Sequence, residues 1–220
     1  MPRLLDLAYL TAAIISAPFW LWRMLRTGKI RTDWRGRFGR VRFDQPVGEH
    51  SQHKHLLIHA VSVGEVNAIR PLIRELESDS HDIRITIAST TDTGIRRAAE
   101  LYADHNVVRY PFDFSFSVRR FLDALQPDAV ALAELEVWPN FTALCRKRSI
   151  PVGVINGRLS ARSYRWYQLV RRLVRPSFRR LSFAAVQSEQ YAKRFQALGV
   201  DASRITVNGT MKWDAVPSTE

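Results

Sequence analysis

Leu56-Leu57-Ile58-His59-Ala60-Val61 is an apolar run that ends in Ser62-Val63-Gly64-Glu65. A helical pattern follows at once, with apolar residues at positions 69, 72, 73 and 76. This order predicts a buried strand that turns directly into a helix, with the Glu65 carboxylate at the turn. Ligands of open α/β sheets bind at the carboxyl ends of strands, so Glu65 can be a general base if it faces a cleft. A glutamate in the first turn of a helix also complements the helix dipole, and position alone favours that structural role.

The remainder of the chain repeats the same strand-helix unit every 20 to 30 residues or so, the size of a βαβ step. The strands are short apolar runs without clean alternation, which is typical of a parallel sheet covered on both faces. The pattern therefore predicts an α/β fold with a Rossmann-like, doubly wound parallel sheet. The expected strands lie near 56–61, 83–88, 106–110, 128–133, 152–156, 182–187 and 204–208. The expected helices lie near 66–78, 94–104, 115–125, 139–148, 161–175 and 189–198.

Composition limits the class of protein. The chain has 220 residues with 46% hydrophobic content, enough for one α/β domain with a full core. Its single cysteine, Cys145, argues against a disulfide-stabilised secreted scaffold, and its apolar surroundings predict a buried side chain. No G-x-G-x-x-G, Walker A or zincin motif is present, so a dinucleotide-binding or P-loop enzyme is not expected.

The net charge of +12 is concentrated in two basic zones. Residues 1–42 hold nine Lys/Arg against two acids, and residues 137–188 hold eleven Lys/Arg and no acid. Such zones predict a polyanionic partner, either phosphorylated lipid or nucleic acid. We expect Arg162, Arg165, Arg172 and Arg179 of the second zone to lie near one another on one helix.

The amino-terminal segment is nearly continuously apolar from Leu4 to Trp22 and is followed by basic residues. It is long enough to cross a bilayer or to lie in its interface, and the basic flank is expected on the cytoplasmic side. The segment favours lipid over nucleic acid as the polyanion. A hydrophobic helix packed on the domain is the alternative.

The loops after successive strands are rich in functional side chains. Parallel strands end at one edge of the sheet, so these loops should meet there. We expect the side chains of Glu134 and Glu136 to point the same way. Their like charges would then raise the pKa of one of the two carboxyl groups, and Arg158 could supply a neutralising cation. Asp113 is expected to cap the helix that begins at Ser115. The residues that we assign to substrate binding are Ser62, Gly64, Thr91, Thr93, Asn156, Arg158 and Ser160. N-capping is the structural alternative for the hydroxyl residues.

Taken in order, these segments resemble the amino-terminal half of the Kdo transferases, GT-B glycosyltransferases of lipopolysaccharide synthesis. The resemblance covers nearly the whole chain, and the order and spacing of its segments are specific. It rests on Arg37-Phe38-Gly39, His59 to Glu65, Thr90 to Gly94, Pro111-Phe112-Asp113, Glu134 to Asn140, Asn156 to Ser160, Gln187-Ser188 and Gly209 to Asp214. Leu135 and Thr210 depart from the pattern at positions where Thr and Asn are usual.

The resemblance implies transfer of 3-deoxy-D-manno-octulosonic acid (Kdo) from CMP-Kdo to lipid A precursor (lipid IVA). It implies catalytic roles for Glu65, as the base, and Glu136. It implies no metal and no cofactor, because GT-B enzymes usually neutralise the leaving phosphate with side chains and helix dipoles. The expected location is the cytoplasmic face of the cell inner membrane, with lipid A precursor and the membrane as partners and no nucleic acid.

The predicted organisation is a membrane anchor over 1–26, a basic linker over 27–50, an acceptor-binding domain over 51–209 and the start of an interdomain linker over 210–220. CMP-Kdo would then be bound through a carboxyl-terminal donor domain that these 220 residues do not contain. Two alternatives stay open. They are a non-enzymatic, membrane-tethered module that binds RNA or anionic lipid, and the acceptor domain of another GT-B transferase.

Overall fold

The computed structural model describes residues 2–27, 32–42, 54–79 and 82–211. Its centre is a sheet of seven strands, and every pairing is parallel. The strands are β1 (Lys54–His59), β2 (Ile83–Ser89), β3 (Asn106–Arg109), β4 (Ala129–Ala133), β5 (Val152–Gly157), β6 (Phe183–Val186) and β7 (Ile205–Val207). All seven predicted strands are confirmed, with ends that differ by up to two residues.

The strand order is β3-β2-β1-β4-β5-β6-β7. The chain builds outward from β1 through β2 to β3, then returns to pair β4 with the other side of β1. This reversal makes the space between β1 and β4 the topological switch point of the sheet, where open α/β folds bind ligands. The predicted Rossmann-like, doubly wound architecture is confirmed.

Helices cover both faces of the sheet, which explains the unbroken apolar runs of its strands. On one face, the helices over 115–125, 139–147, 171–178 and 189–198 pack against Leu57, Leu132 and Val154. The helices over 63–68, 70–79 and 92–101 pack on the other face against Ile58 and Ala131. Cys145 is buried in the first of these layers, as predicted. The helices in the body are α3 (Val63–Ala68), α4 (Arg70–Asp79), α5 (Asp92–Leu101), α6 (Ser115–Leu125), α7 (Pro139–Lys147), α8 (Ala161–Leu169), α9 (Arg171–Phe178) and α10 (Glu189–Leu198).

Two predicted helices are each divided in two. The helix expected over 66–78 begins earlier, because Ser62 caps α3, and it breaks at Ile69. Pro71 explains the break, since proline in a helix interior clashes with the carbonyl four residues earlier. The helix expected over 161–175 breaks at Val170. As a result, α8 buries no residue fully, whereas α9 turns Phe178 into the core.

Two of the described helices precede the sheet. The first, α1 (Pro2–Thr27), contains a stretch, Leu5–Arg26, that is long and apolar enough to cross a membrane. The second, α2 (Trp34–Arg37), lies within the segment predicted as a linker and packs on the domain. Gly39, at φ +79°, lies so close to the Ser117 carbonyl that no side chain would fit there. Residues 43–50 of the predicted linker and 212–220 of the predicted tail lie outside the described residues.

Candidate active site

The carboxyl edge of the sheet, where the parallel strands end, collects the predicted site residues. Glu65 lies in α3 just after β1, and Glu136 lies in the loop between β4 and α7. Because β1 and β4 are neighbours, these two carboxylates come from the two sides of the switch point. A sequence alone does not specify which strands are neighbours, so this relationship becomes visible only in the fold.

Glu65 closes a reciprocal cap at the start of α3. The Ser62 hydroxyl oxygen accepts a hydrogen bond from the Glu65 N–H at 3.3 Å. In return, the carboxylate accepts from the Ser62 hydroxyl at 2.8 Å and from the Val61 N–H at 2.9 Å. This arrangement is a variant of the capping box in which the Val61 N–H takes the place of the Ser62 N–H, so the structural role that position alone favoured is present. These hydrogen bonds are compatible with a catalytic role, because the Glu65 side chain is only partly buried.

The pKa of Glu65 is raised above its ordinary value. Burial is the main cause, and the Glu134 charge acts in the same direction. The hydrogen bonds from Val61 and Ser62 and the nearby His59 oppose the shift without cancelling it. A carboxylate with a raised pKa is a better proton acceptor near neutral pH, as general-base catalysis requires.

Glu136 has the opposite electrostatic character. Burial alone would raise its pKa, but His59 and the Trp138 indole outweigh burial and hold the pKa below its ordinary value. The Trp138 Nε1–H donates to Oε2 at 2.7 Å, and His59 Nε2 lies 3.8 Å from the same oxygen. Glu136 is therefore suited to remain ionised while Glu65 exchanges a proton.

The predicted behaviour of the Glu134–Glu136 pair is wrong. Strand β4 ends at Ala133, and Glu134 adopts a left-handed conformation with φ 57°, so the two side chains do not follow one strand face. The pKa of Glu136 is lowered, and the Glu134 charge acts on Glu65 instead. The alternation rule for strands does not apply once the backbone has entered a turn.

His59 is a further functional candidate, and its position in the sequence alone does not assign it a role. It is fully buried at the end of β1 and stacks on Tyr110 with a centroid distance of 3.6 Å and an interplanar angle of 7°. Nδ1 lies 3.0 Å from the Ala88 carbonyl oxygen, which can only accept, so Nδ1 carries a proton. Nε2 has no hydrogen-bond partner among the described residues and faces Glu136. A buried polar residue that ends an otherwise apolar strand was the available signal.

The predicted substrate-binding residues after β1 and β2 lie side by side. Thr91 caps α5 through the Gly94 N–H, and its hydroxyl donates to the Val61 carbonyl at 2.8 Å. This bond joins the β2 loop to the Ser62 turn. The Thr93 hydroxyl is exposed and contacts the Thr91 oxygen at 3.4 Å. Gly64 is exposed, and a Cβ at this position would lie 3.8 Å from the Ser62 hydroxyl oxygen, an ordinary contact distance.

The predicted residues at the end of β5 and in the loop after it are more varied in role. Asn156 is buried, and its Oδ1 accepts from Gln187 at 3.0 Å and from the Met211 N–H at 3.2 Å, so it ties loops together. Ser160 caps α8 through the Ser163 N–H. Arg158 is exposed, and no ion pair joins it to Glu134 or Glu136 among the residues that the structure describes. The substrate-binding roles of all seven residues remain predictions.

The amino-terminal helix docks at the same edge. Asp6 accepts from the Ser115 N–H at 2.8 Å and from the Asn140 amide at 2.9 Å, so it caps α6 from another element. Asp113, which was expected to cap α6, caps α7 through the Asn140 and Phe141 N–H groups. The expectation was wrong because it considered only carboxylates close to Ser115 in sequence, whereas the capping carboxylate, Asp6, comes from the distant helix α1. The Tyr9 hydroxyl donates to Asp113 at 3.0 Å and completes the junction.

Comparison with known proteins decides the family. The family model of the 3-deoxy-D-manno-octulosonic-acid transferases (Kdo transferases) matches residues 32–215, most of the chain. The chain belongs to this family. The resemblance inferred from the order of its loops is thereby confirmed.

Individual relatives agree with the family. The chain is 35% identical over 161 residues to the 3-deoxy-D-manno-octulosonic acid transferase of Haemophilus influenzae, an alignment that covers 72% of this chain and 38% of the relative. It is 29% identical over 212 residues to the enzyme of the same name from Chlamydia trachomatis serovar D, an alignment that covers 96% of this chain and 48% of the relative. This Kdo transferase family chain thus spans less than half the length of both relatives.

Solved structures support the fold. The UDP-GlcNAc 2-epimerase of Neisseria meningitidis matches with a TM-score of 0.55 and 14% identity over 74% of this chain and 48% of that chain. The UDP-GlcNAc 2-epimerase of Methanocaldococcus jannaschii matches with a TM-score of 0.52 and 16% identity over 73% and 47%. These likenesses concern architecture alone. They agree with the predicted amino-terminal Rossmann-like domain of a GT-B protein.

Proposed function

We propose that this chain is the acceptor-binding half of a Kdo transferase, which moves Kdo from CMP-Kdo to lipid A precursor. The observation that carries the proposal is the pair of carboxylates on the two sides of the switch point, in a chain of this family. The pKa of Glu65 is raised and that of Glu136 is lowered, so Glu65 is the better proton acceptor and Glu136 is the carboxylate that more readily stays ionised.

In the proposed mechanism, Glu65 takes the proton from a sugar hydroxyl of the acceptor. The hydroxyl oxygen then forms a bond to the anomeric carbon of Kdo while the bond from that carbon to the CMP phosphate breaks, in one inverting displacement. CMP leaves with the bonding electron pair. Glu136 holds a constant negative charge near the reaction centre. The donor would be bound by a carboxyl-terminal domain, and transfer without a metal or cofactor stays a prediction.

The surroundings of the carboxyl edge support a lipid acceptor. An apolar groove of about 1000 Å³ runs between α1 and the aromatic side chains near β3, with Leu10 and Trp20 on one wall and Phe112 and Phe116 on the other. Acyl chains could occupy such a groove, and Arg158 at the same edge is available for a phosphate group. We place the protein at the cytoplasmic face of the inner membrane, with α1 as its attachment.

Glu65→Gln tests the proposed base. A glutamine can still close the capping box, so the variant removes the proton acceptor while keeping the helix start. In a chimera that joins this chain to the carboxyl-terminal remainder of the Haemophilus influenzae relative, we expect transfer from CMP-Kdo to lipid IVA to fall by about 10²–10⁴-fold. Glu75→Gln, at an exposed position on α4, is the control and should leave the rate unchanged. Transfer at the parent rate by the Glu65→Gln chimera would refute the assignment.

A further inference from the structure

Four arginines line a second cavity, which the proposed function does not use. Arg172, Arg175 and Arg179 are spaced i, i+3 and i+7, so they lie on one side of α9 and its carboxyl-terminal turn. Arg180 follows them, and Pro176 forms the floor. The cavity has a volume of about 410 Å³, within the range of small-molecule sites. The expected grouping of Arg162 and Arg165 with these residues is wrong, because the break at Val170 puts that pair on α8.

Within the described part of the chain, no carboxylate pairs with this cluster. No Asp or Glu occurs between residues 137 and 188. Across the described ranges 2–27, 32–42, 54–79 and 82–211, none of the four arginines forms an ion pair. Asp201, in the neighbouring loop, instead accepts hydrogen bonds from the Ser203 N–H and hydroxyl. The Arg180 guanidinium is partly buried, which lowers its pKa, and no carboxylate among the described residues compensates for the lost contact with water.

The cavity lies at the amino edge of the sheet, where the strands begin. α9 leads into the start of β6, and the side chains of Arg175 and Arg179 pack against Gly199, at the end of α10. Glu65 and Glu136 lie at the opposite, carboxyl edge. Strand β1 has six residues, and at about 3.3 Å per residue it alone separates the two edges by about 20 Å. One small ligand therefore cannot occupy both sites.

We propose that this four-arginine pocket is a separate binding site for a ligand with two or more phosphate groups. Guanidinium groups pair with phosphate through two parallel hydrogen bonds, and four of them around one cavity can bind more than one phosphate group. A free diphosphate compound and the phosphate groups of a membrane surface share this chemistry. The proposal does not depend on Kdo transfer.

Titration of the full chain in neutral detergent micelles with inorganic pyrophosphate tests the free-ligand source. We expect one saturable site by calorimetry. The double variant Arg175→Gln/Arg179→Gln should weaken it by about tenfold or more, since a hydrogen bond to a charged group contributes about 1.5–3 kcal/mol. Arg162→Gln/Arg165→Gln, on α8, removes the same charge outside the pocket and should change the affinity less than twofold.

Flotation with phosphatidylcholine vesicles containing phosphatidylglycerol tests the membrane source with the same pair of variants. If the pocket variant loses binding in one of the two experiments while the α8 variant keeps it, the result supports the site and shows whether its ligand is a free phosphate compound or a membrane surface. Equal behaviour of the two double variants in both arms, or the absence of binding in both arms, overturns the proposal. Arg172→Gln/Arg180→Gln repeats the test without disturbing the packing on Gly199, and thermal unfolding checks that each variant is folded.

Discussion

At the scale of single residues, the contacts that build the start of α3 also set the proton affinity of Glu65. The Ser62 hydroxyl and the Val61 N–H stabilise the ionised carboxylate, while burial and the Glu134 charge destabilise it. Structural and catalytic roles therefore do not compete at this position. Changing one neighbour at a time should move the pKa of Glu65 in a direction that the contacts specify.

Ser62→Ala and Glu134→Gln should shift the pKa of Glu65 in opposite directions. Ser62→Ala removes a donor to the ionised form, so the pKa rises further above its ordinary value. Glu134→Gln removes a nearby negative charge, so the pKa falls. Carbon-detected NMR titration of the glutamate carboxyl signals in this chain measures both shifts. In the chimeric transferase, the acidic limb of the rate profile should move to higher pH for Ser62→Ala and to lower pH for Glu134→Gln. Shifts of equal sign would contradict this account of the site.

The sequence identifies candidate site residues that directly follow a strand. It does not identify residues whose role depends on contacts between distant parts of the chain. Glu65 and Glu136 follow strands and could be identified as candidates. The stacking of His59 on Tyr110 joins the end of β1 to the residue after β3, and these positions are far apart in sequence. The turn conformation of Glu134 has no signature in residue type, because glutamate only rarely adopts positive φ.

At the scale of elements, α1 combines an apolar surface with a polar anchor point. The helix and its hydropathy follow from the sequence, but its docking does not, because Asp6 contacts residues more than 100 positions away. A carboxylate in an apolar helix is costly unless it is paired. Here it is paired with the start of α6 and with Asn140, and this fixes one end of α1 on the domain.

Asp6→Ala should destabilise the domain as the loss of an N-cap does. The free energy of unfolding is expected to fall by about 0.5–2 kcal/mol, since the Ser115 N–H loses its acceptor. Thr11→Ala, which removes only a hydroxyl bound to its own helix, should change it by less than about 0.5 kcal/mol. Urea unfolding in neutral micelles, compared at constant m, gives both values. Equal midpoints for the two variants would show that the α1 junction does not stabilise the domain.

At the scale of the whole molecule, the two edges of the sheet differ in chemistry. The carboxyl edge has the candidate carboxylates and the docked start of α1, while the amino edge has the four-arginine pocket. The sequence predicted a doubly wound sheet and one sheet edge at which the loops with functional side chains meet. The usual order of a doubly wound sheet makes β1 and β4 neighbours, although the sequence does not specify that order by itself. The gathering of four arginines into one pocket could not be predicted, because it depends on how the helices pack on the sheet. This arrangement directs Glu65 toward the same side of the molecule as the apolar helix.

If α1 attaches the protein to a bilayer, its exposed apolar residues should control the binding. Ile15 on α1 and Leu169 on α8 are each 76% exposed, so replacing either by aspartate disturbs little packing. Ile15→Asp should strongly reduce flotation of the full chain with neutral phosphatidylcholine vesicles, because a charge at the centre of an apolar helix costs about 2.5–3.5 kcal/mol on insertion scales. Leu169→Asp adds the same charge and should float like the parent. Neutral vesicles remove the contribution of the basic zones, so equal flotation of both variants would mean that α1 is not the attachment.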